Sequence, residues 1–183
     1  MPTCIKLEAM RKLFVILAFA GLSFSIVDVY TIQFQDVSGK TISMGSFKGK
    51  KVIVAVINAK SPDISYLRYL NQMQAKSTSY QIIAIPSTEF AGQSDPTRLN
   101  QVRTSEKLAI IVARPGELKK DAKGRQHPLL AWLTDKDQNR HFDQDIETTD
   151  KLFFINESGV LYAVLDNMVG AEAISNTLKL TVK

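Results

Sequence analysis

The sequence predicts an α/β fold with a central mixed sheet flanked by helices, and three observations carry that expectation. Val52 to Ile57 is an unbroken apolar run, mostly β-branched, which is how a strand buried on both faces reads. From there to about residue 133, strand-like runs alternate with helix-like ones, the order that yields parallel strand pairs. Near the end, Leu152–Ile155 and Val160–Val164 flank Asn156-Glu157-Ser158-Gly159, the pattern of an antiparallel hairpin.

The elements follow in order. Tyr30 to Phe34 and Thr41 to Met44 alternate around a turn at Gly39 and predict an N-terminal β-hairpin. Lys48-Gly49-Lys50-Lys51 leads into the buried run, which should be central in the sheet. Ile64, Leu67, Leu70 and Met73 form one apolar stripe, with Arg68, Gln72 and Lys76 off it, so a helix follows. Gln81 to Ile85 reads as a second buried strand, stopped by Pro86. Pro86 to Leu99 is loop-like, and Asp95-Pro96 caps and opens a short helix through Val102. Leu108 to Val112 is a third strand, and Arg114 to Gln126 reads as a surface connection. His127 to Leu133 is a short helix with Pro128 in its first turn, and Asp135 to Asp150 is a polar loop. Ala171 to Leu180 is the closing helix.

The 183 residues, 45% hydrophobic and 22% charged, suit one domain with a sizeable core. Residues 1–25 stand apart. Arg11 and Lys12 precede the apolar run Leu13–Leu22, and Ser23 and Ser25 follow, the order of a secretory signal peptide. Met10 would make a compact basic start, so it is a candidate initiator. A retained membrane anchor is the alternative, which the shortness of the run opposes, since a span takes about 20 apolar residues. The expectation is an exported domain over residues 26–183, periplasmic or secreted, with no stable membrane association after cleavage. Lys6, Arg11 and Lys12 would leave with Glu8, taking the net charge from +5 to +3. The basic residues are scattered without interleaved aromatics, which argues against nucleic-acid binding. The single cysteine, Cys4, lies upstream of the apolar run, so residues 26–183 contain no thiol.

Three stretches together resemble the glutathione peroxidase family, a branch of the thioredoxin-like fold. "DVSGKTISMGSFKGKKVIVAVINAKS" is similar to the segment in which the family's hairpin and Lys-Gly-Lys step lead to its cysteine or selenocysteine. "IIAIPSTEFAGQSDP" resembles the family's signature after the next strand. Pro86, Phe90, Gly92, Gln93 and Pro96 match, whereas Ser87, Thr88, Glu89, Ser94 and Asp95 depart. "GRQHPLLAWL" is similar to its His-Pro-Leu helix opening. In order and spacing these cover about Val29 to Lys183. The resemblance implies the three-layer thioredoxin-like fold of the glutathione peroxidase type.

It also implies a chemistry, reduction of a hydroperoxide by a thiol donor in the response to oxidative stress, and a set of positions. The nucleophile position falls on Ser61, with Lys60 as the alternative register. The glutamine position falls on Gln93, and the tryptophan and asparagine positions fall on Thr148 and Thr149, within about one residue. Only the glutamine is kept. Sulfur serves this chemistry because its thiolate is accessible, from a pKa of about 8.5, and because it climbs and descends an oxidation ladder. A serine oxygen has no such ladder. The expectation is therefore an impaired or inactive peroxidase homologue, with an exported non-catalytic binding or accessory module as the alternative.

Other chemistries find little in the residues. An acyl-transfer serine needs a nearby base, and the two histidines, His127 and His141, lie in a helix opening and a polar loop, with no Gly-x-Ser-x-Gly around Ser61. Ser61-Pro62-Asp63 instead reads as a helix N-cap with a pre-set first turn. Gln93 is expected to face position 61, against the plainer reading of a polar loop residue. Trp132 is expected in the core. Asn156-Glu157-Ser158 is a formal glycosylation sequon that a tight turn also explains. The histidines and the acids Asp143, Asp145, Glu147 and Asp150 lack metal-ligand spacing, so neither a metal nor a cofactor is expected.

Overall fold

The computed structural model describes residues 27–89, 95–119, 126–149, 151–166 and 170–181. The signal-like segment 1–25 and Gln93 therefore lie outside the described residues.

The N-terminal hairpin pairs β1 (Gln33–Gln35) with β2 (Thr41–Ser43), antiparallel, with Phe34 opposite Ile42. The main sheet has the order β5-β4-β3-β6-β7. Its strands are β3 (Lys51–Asn58), β4 (Tyr80–Ser87), β5 (Ile111–Val112), β6 (Lys151–Ile155) and β7 (Leu161–Asp166). β3 is central, parallel to β4 and antiparallel to β6; β4 and β5 are parallel, and β6 and β7 antiparallel. The helices are α1 (Ile64–Ala75), α2 (Pro96–Ser105), α3 (Pro128–Leu133), α4 (Lys136–Asn139) and α5 (Ala171–Lys179). This is the mixed, helix-flanked sheet with an N-terminal hairpin that the sequence predicts.

The apolar run of β3 is continuous because both faces are covered. Val52, Val54 and Val56 pack with the hairpin and α3, through Phe34, Ile42, Met44, Leu129 and Leu133. Ile53, Ala55 and Ile57 pack with Leu67 and Leu70 of α1, Leu99 of α2 and Ile174 of α5. Period-two alternation thus divides one strand between two cores. At about 1.5–3 kcal/mol for each large apolar side chain buried, β3 anchors both.

Four expectations change. Pro86 does not stop its strand: it lies within β4, opposite Ile57, and its carbonyl accepts the Gly116 N–H at 3.1 Å. A strand residue turns its N and its C=O toward the same neighbour, so the missing N–H of Pro86 faces the side where β5 has already ended at Val112. No ladder bond is lost there. Strand geometry in the third run is confined to Ile111–Val112, because the Ala109 N–H donates to Asn71 Oδ1 of α1 at 2.6 Å. The stretch from Arg114 carries the fully buried Leu118, and Glu117 bridges Gln126.

The polar stretch after Asp135 is not a plain loop either. It contains α4, capped by Asp135 and ended by Arg140 at φ +67°. The buried Asn139 holds it: Nδ2 lies within 2.8–3.0 Å of the carbonyls of Trp132, Leu133 and Phe142, and Oδ1 accepts the N–H groups of His141 and Phe142. Trp132 is in the core as expected, its indole N–H donating to the Val27 carbonyl at 2.9 Å. Asn156 is buried, and its Oδ1 accepts the Ser158 and Val160 N–H groups, closing the β6–β7 turn. Gly159 turns at φ +83°, where a Cβ would come within 2.9 Å of the Tyr30 ring.

Candidate functional site at the β3–α1 junction

Strand β3 delivers its last residues to the C-terminal end of the sheet, where the chain must turn back into α1. Asn58 makes that turn. Its Oδ1 accepts the backbone N–H of Lys60 at 2.9 Å and of Ser61 at 3.0 Å, a side chain imitating a backbone turn. The neighbouring Ala59 N–H donates to the Ser87 carbonyl on β4, fixing the base of the loop to the sheet.

The helix cap is Asp63 and not Ser61. Asp63 Oδ1 accepts the N–H groups of Ser65 and Tyr66, and its carbonyl accepts that of Leu67. Pro62 precedes the cap instead of occupying the first helical position, because the Asx turn at Asn58 uses Lys60 and Ser61 before the helix starts. Ser61 is left exposed, and among the described residues its hydroxyl has no hydrogen-bond partner. Sequence reasoning missed Asn58; the signal was an asparagine closing an apolar strand three residues ahead of a Ser-Pro.

Ser61 borders a cavity of about 210 Å³ between α1 and α2, with Ala59, Pro62, Ile64, Arg98, Leu99 and Val102. Lys60 is exposed and does not line it. Arg98 is the ionisable side chain among these, and a guanidinium stays protonated, so it can attract an anion but cannot take a proton from Ser61. Neither histidine lines this cavity. His127 sits with Phe34 and Arg114 in one hollow, and His141 sits with Val27 and Trp132 in another. Among the described residues lining this cavity, none is a base for Ser61.

Thr148 and Thr149 lie just before β6, Thr148 exposed and Thr149 half-buried. Because Ala55 faces Leu152 across the antiparallel β3–β6 pair, β6 begins where β3 ends, and the two threonines reach the same end of the sheet as Ser61. They do not share its cavity: Thr148 lines a separate hollow with Asp145, Glu147 and Lys151. Ser87, opposite Asn58 on β4, is fully buried, and its hydroxyl accepts the Glu89 N–H at 3.2 Å. No group of three or more potential metal ligands gathers among the described residues, and no helix there is long and apolar enough to cross a membrane.

His127, at the helix opening, caps α3, with Nδ1 accepting the Leu129 N–H at 3.3 Å, and its side chain is buried. Burial holds its pKa down at about 4.

A sheet of order β5-β4-β3-β6-β7 behind a leading hairpin, with helices packed on it, is a thioredoxin-like α/β fold. No protein-family model and no curated protein matches the chain. Solved structures do. The apo form of Trgpx is 17% identical, with a TM-score of 0.64 over 84% of this chain and 94% of that one. GPX1 of T. cruzi is 15% identical, with a TM-score of 0.61 over 83% and 94%. A thiol:disulfide interchange protein of the thioredoxin family from Chlorobium tepidum TLS is 18% identical, with a TM-score of 0.57 over 83% and 96%. At these identities the likeness establishes the fold.

Proposed function

We propose that this chain is an exported protein of the glutathione peroxidase type that does not reduce hydroperoxides and acts as a non-catalytic binding or accessory module. The single observation that carries the reading is Ser61 at the β3–α1 junction, in a chain whose only cysteine is Cys4. The three motifs in register and the fold support the family; the chemistry of the site argues against the activity.

Peroxide reduction requires a nucleophile that accepts the transferred oxygen and is then returned by a thiol. Sulfur forms a sulfenic acid and is regenerated, whereas a serine hydroxyl does neither. Acyl transfer would need a base at hydrogen-bond reach of Oγ, and Arg98 is no base. What remains among the described residues is a shaped hollow with Arg98 as the cation at its wall, suited to holding a ligand and not to transforming it.

The test is direct. Protein spanning residues 26–183, given hydroperoxide with glutathione or with a thioredoxin system, should show no turnover above a thiol-free control. Turnover that Ser61→Ala abolishes would overturn the proposal. Ser61→Cys asks whether the rest of the site still supports peroxide attack.

A further inference from the structure

Strand β2 has one edge paired with β1 and one edge open, and the open edge borders a groove of about 480 Å³. The groove shares no lining residue with the cavity at Ser61, so its use is independent of the reading of that serine. It touches Thr41, Ile42 and Ser43 of β2 but none of the three residues of β1, which puts it on the side of β2 away from its partner strand. Across it runs Ile110 to Val112. The segments that line it, 36–47 and 103–112, are described without a break.

The backbone bonds fix which groups face outward. The Asp36 N–H donates to the Lys40 carbonyl at 2.9 Å and the Met44 N–H to the Ile32 carbonyl at 3.0 Å, so residues 40, 42 and 44 turn their peptide groups to the β1 side. Thr41 and Ser43 then turn theirs to the open side. The Ser43 carbonyl accepts the Ser46 hydroxyl, whereas both peptide groups of Thr41 and the Ser43 N–H have no partner among the described residues. On the opposite wall the Val112 carbonyl accepts the Val37 N–H, so Val112 turns its own N–H away from β4 as well. An unpaired strand edge is the template on which an extended chain adds a strand. Such edges are commonly blocked by a proline or a charge, and β2, Thr-Ile-Ser, has neither. Half-buried Phe47 and Ile111 give the groove apolar surface. Lys40 and Arg103 stand there against one carboxylate, Asp36, whose Oδ1 is already taken by the Ser38 N–H and hydroxyl and the Lys40 N–H.

We propose that β2 takes a short extended peptide of another protein as an added strand, one that carries an acidic side chain. Its peptide groups pair with those of Thr41 and Ser43, its apolar side chains pack on Phe47 and Ile111, and its carboxylate is met by Lys40 and Arg103. With three residues β2 spans about 10 Å, so the match is about three residues long and the binding is weak and reversible.

The probe is the end-blocked pentapeptide Thr-Val-Glu-Val-Thr, added to the full chain and followed by backbone amide resonances. At millimolar peptide the Thr41 and Ser43 amide signals should shift saturably while that of Ala173 in α5 stays put. N-methylation of the three central peptide amides removes the donors a strand needs and should weaken binding by about tenfold or more. Replacing the peptide's glutamate with lysine should weaken it by about threefold or more. Lys40→Glu, at an exposed position, should reverse that charge preference. Thr41 and Ser43 signals unmoved by the peptide, moved equally by its N-methylated form, or indifferent to its charge would overturn the proposal. So would signals that move when the protein alone is diluted, which would assign the edge to a second copy of this chain. The peptide comparisons need no variant, so a misfolded mutant leaves the outcome decided.

Discussion

Asn58 Oδ1 receives the backbone N–H of Ser61 at 3.0 Å, and that of Lys60 at 2.9 Å, so the geometry of the junction is set by the last residue of β3 and not by the serine it presents. Asn58→Ala should cost about 1–2 kcal/mol in urea unfolding, the usual worth of two partly exposed hydrogen bonds. Amide exchange at residues 60 and 61 should quicken at the same time. Asn58→Asp, which keeps the acceptor, should restore both.

Asp63 and Ser61 separate in the same experiment. Asp63→Ala removes the acceptor for two helix N–H groups and should lower stability by about 1 kcal/mol, whereas Ser61→Ala should stay within about 0.5 kcal/mol of the parent. A larger loss for Ser61→Ala would mean that its hydroxyl caps α1 after all.

His127 gives stability a pH dependence of known sign. Its folded pKa, about 4, lies below the 6.5 of the free side chain, so as pH falls the unfolded chain takes the proton first. The contribution is whole above pH 6.5 and is lost between 6.5 and 4, to a total of about 3 kcal/mol. The difference in unfolding free energy between the parent and His127→Asn should shrink by that order over this window. A difference that stays flat would place the imidazole in contact with water.

Asn139 joins α3 to the segment after α4 through its side-chain amide. Asn139→Ala strips partners from buried carbonyls and N–H groups and should cost about 2–3 kcal/mol, far more than substitution of exposed Gln144 on the same stretch. Parallel thermal unfolding of the two variants would measure the contrast.

Much of the fold was legible because its signals are local. The β3 run, the α1 stripe, the Asp95 cap of α2, the His127-Pro128 opening of α3 and the Asn156–Gly159 turn are each written within a few residues. What escaped depends on distant neighbours. Pro86 is tolerated because β5 ends early, Ala109 leaves the ladder because Asn71 is near, and α4 exists because Asn139 is buried against α3. The choice between Ser61 and Asp63 as cap turned on the side chain of Asn58, which local rules for serine and proline do not include. At the candidate site, the position of Ser61 at a strand-to-helix junction was readable. The separation of Thr148 from its cavity follows from how the β6 approach packs, and Gln93 lies outside the described residues.

The exposed, unbonded hydroxyl of Ser61 has a consequence for how such a site can change over time. The turn is made by Asn58, the helix is started by Asp63, and the strand beneath is clamped between two cores, so residue 61 is almost silent in the folding free energy. Oxygen and sulfur are therefore close to interchangeable there as far as folding is concerned. The folding free energy leaves the choice between serine and cysteine at residue 61 open, and only what that residue does chemically could decide it.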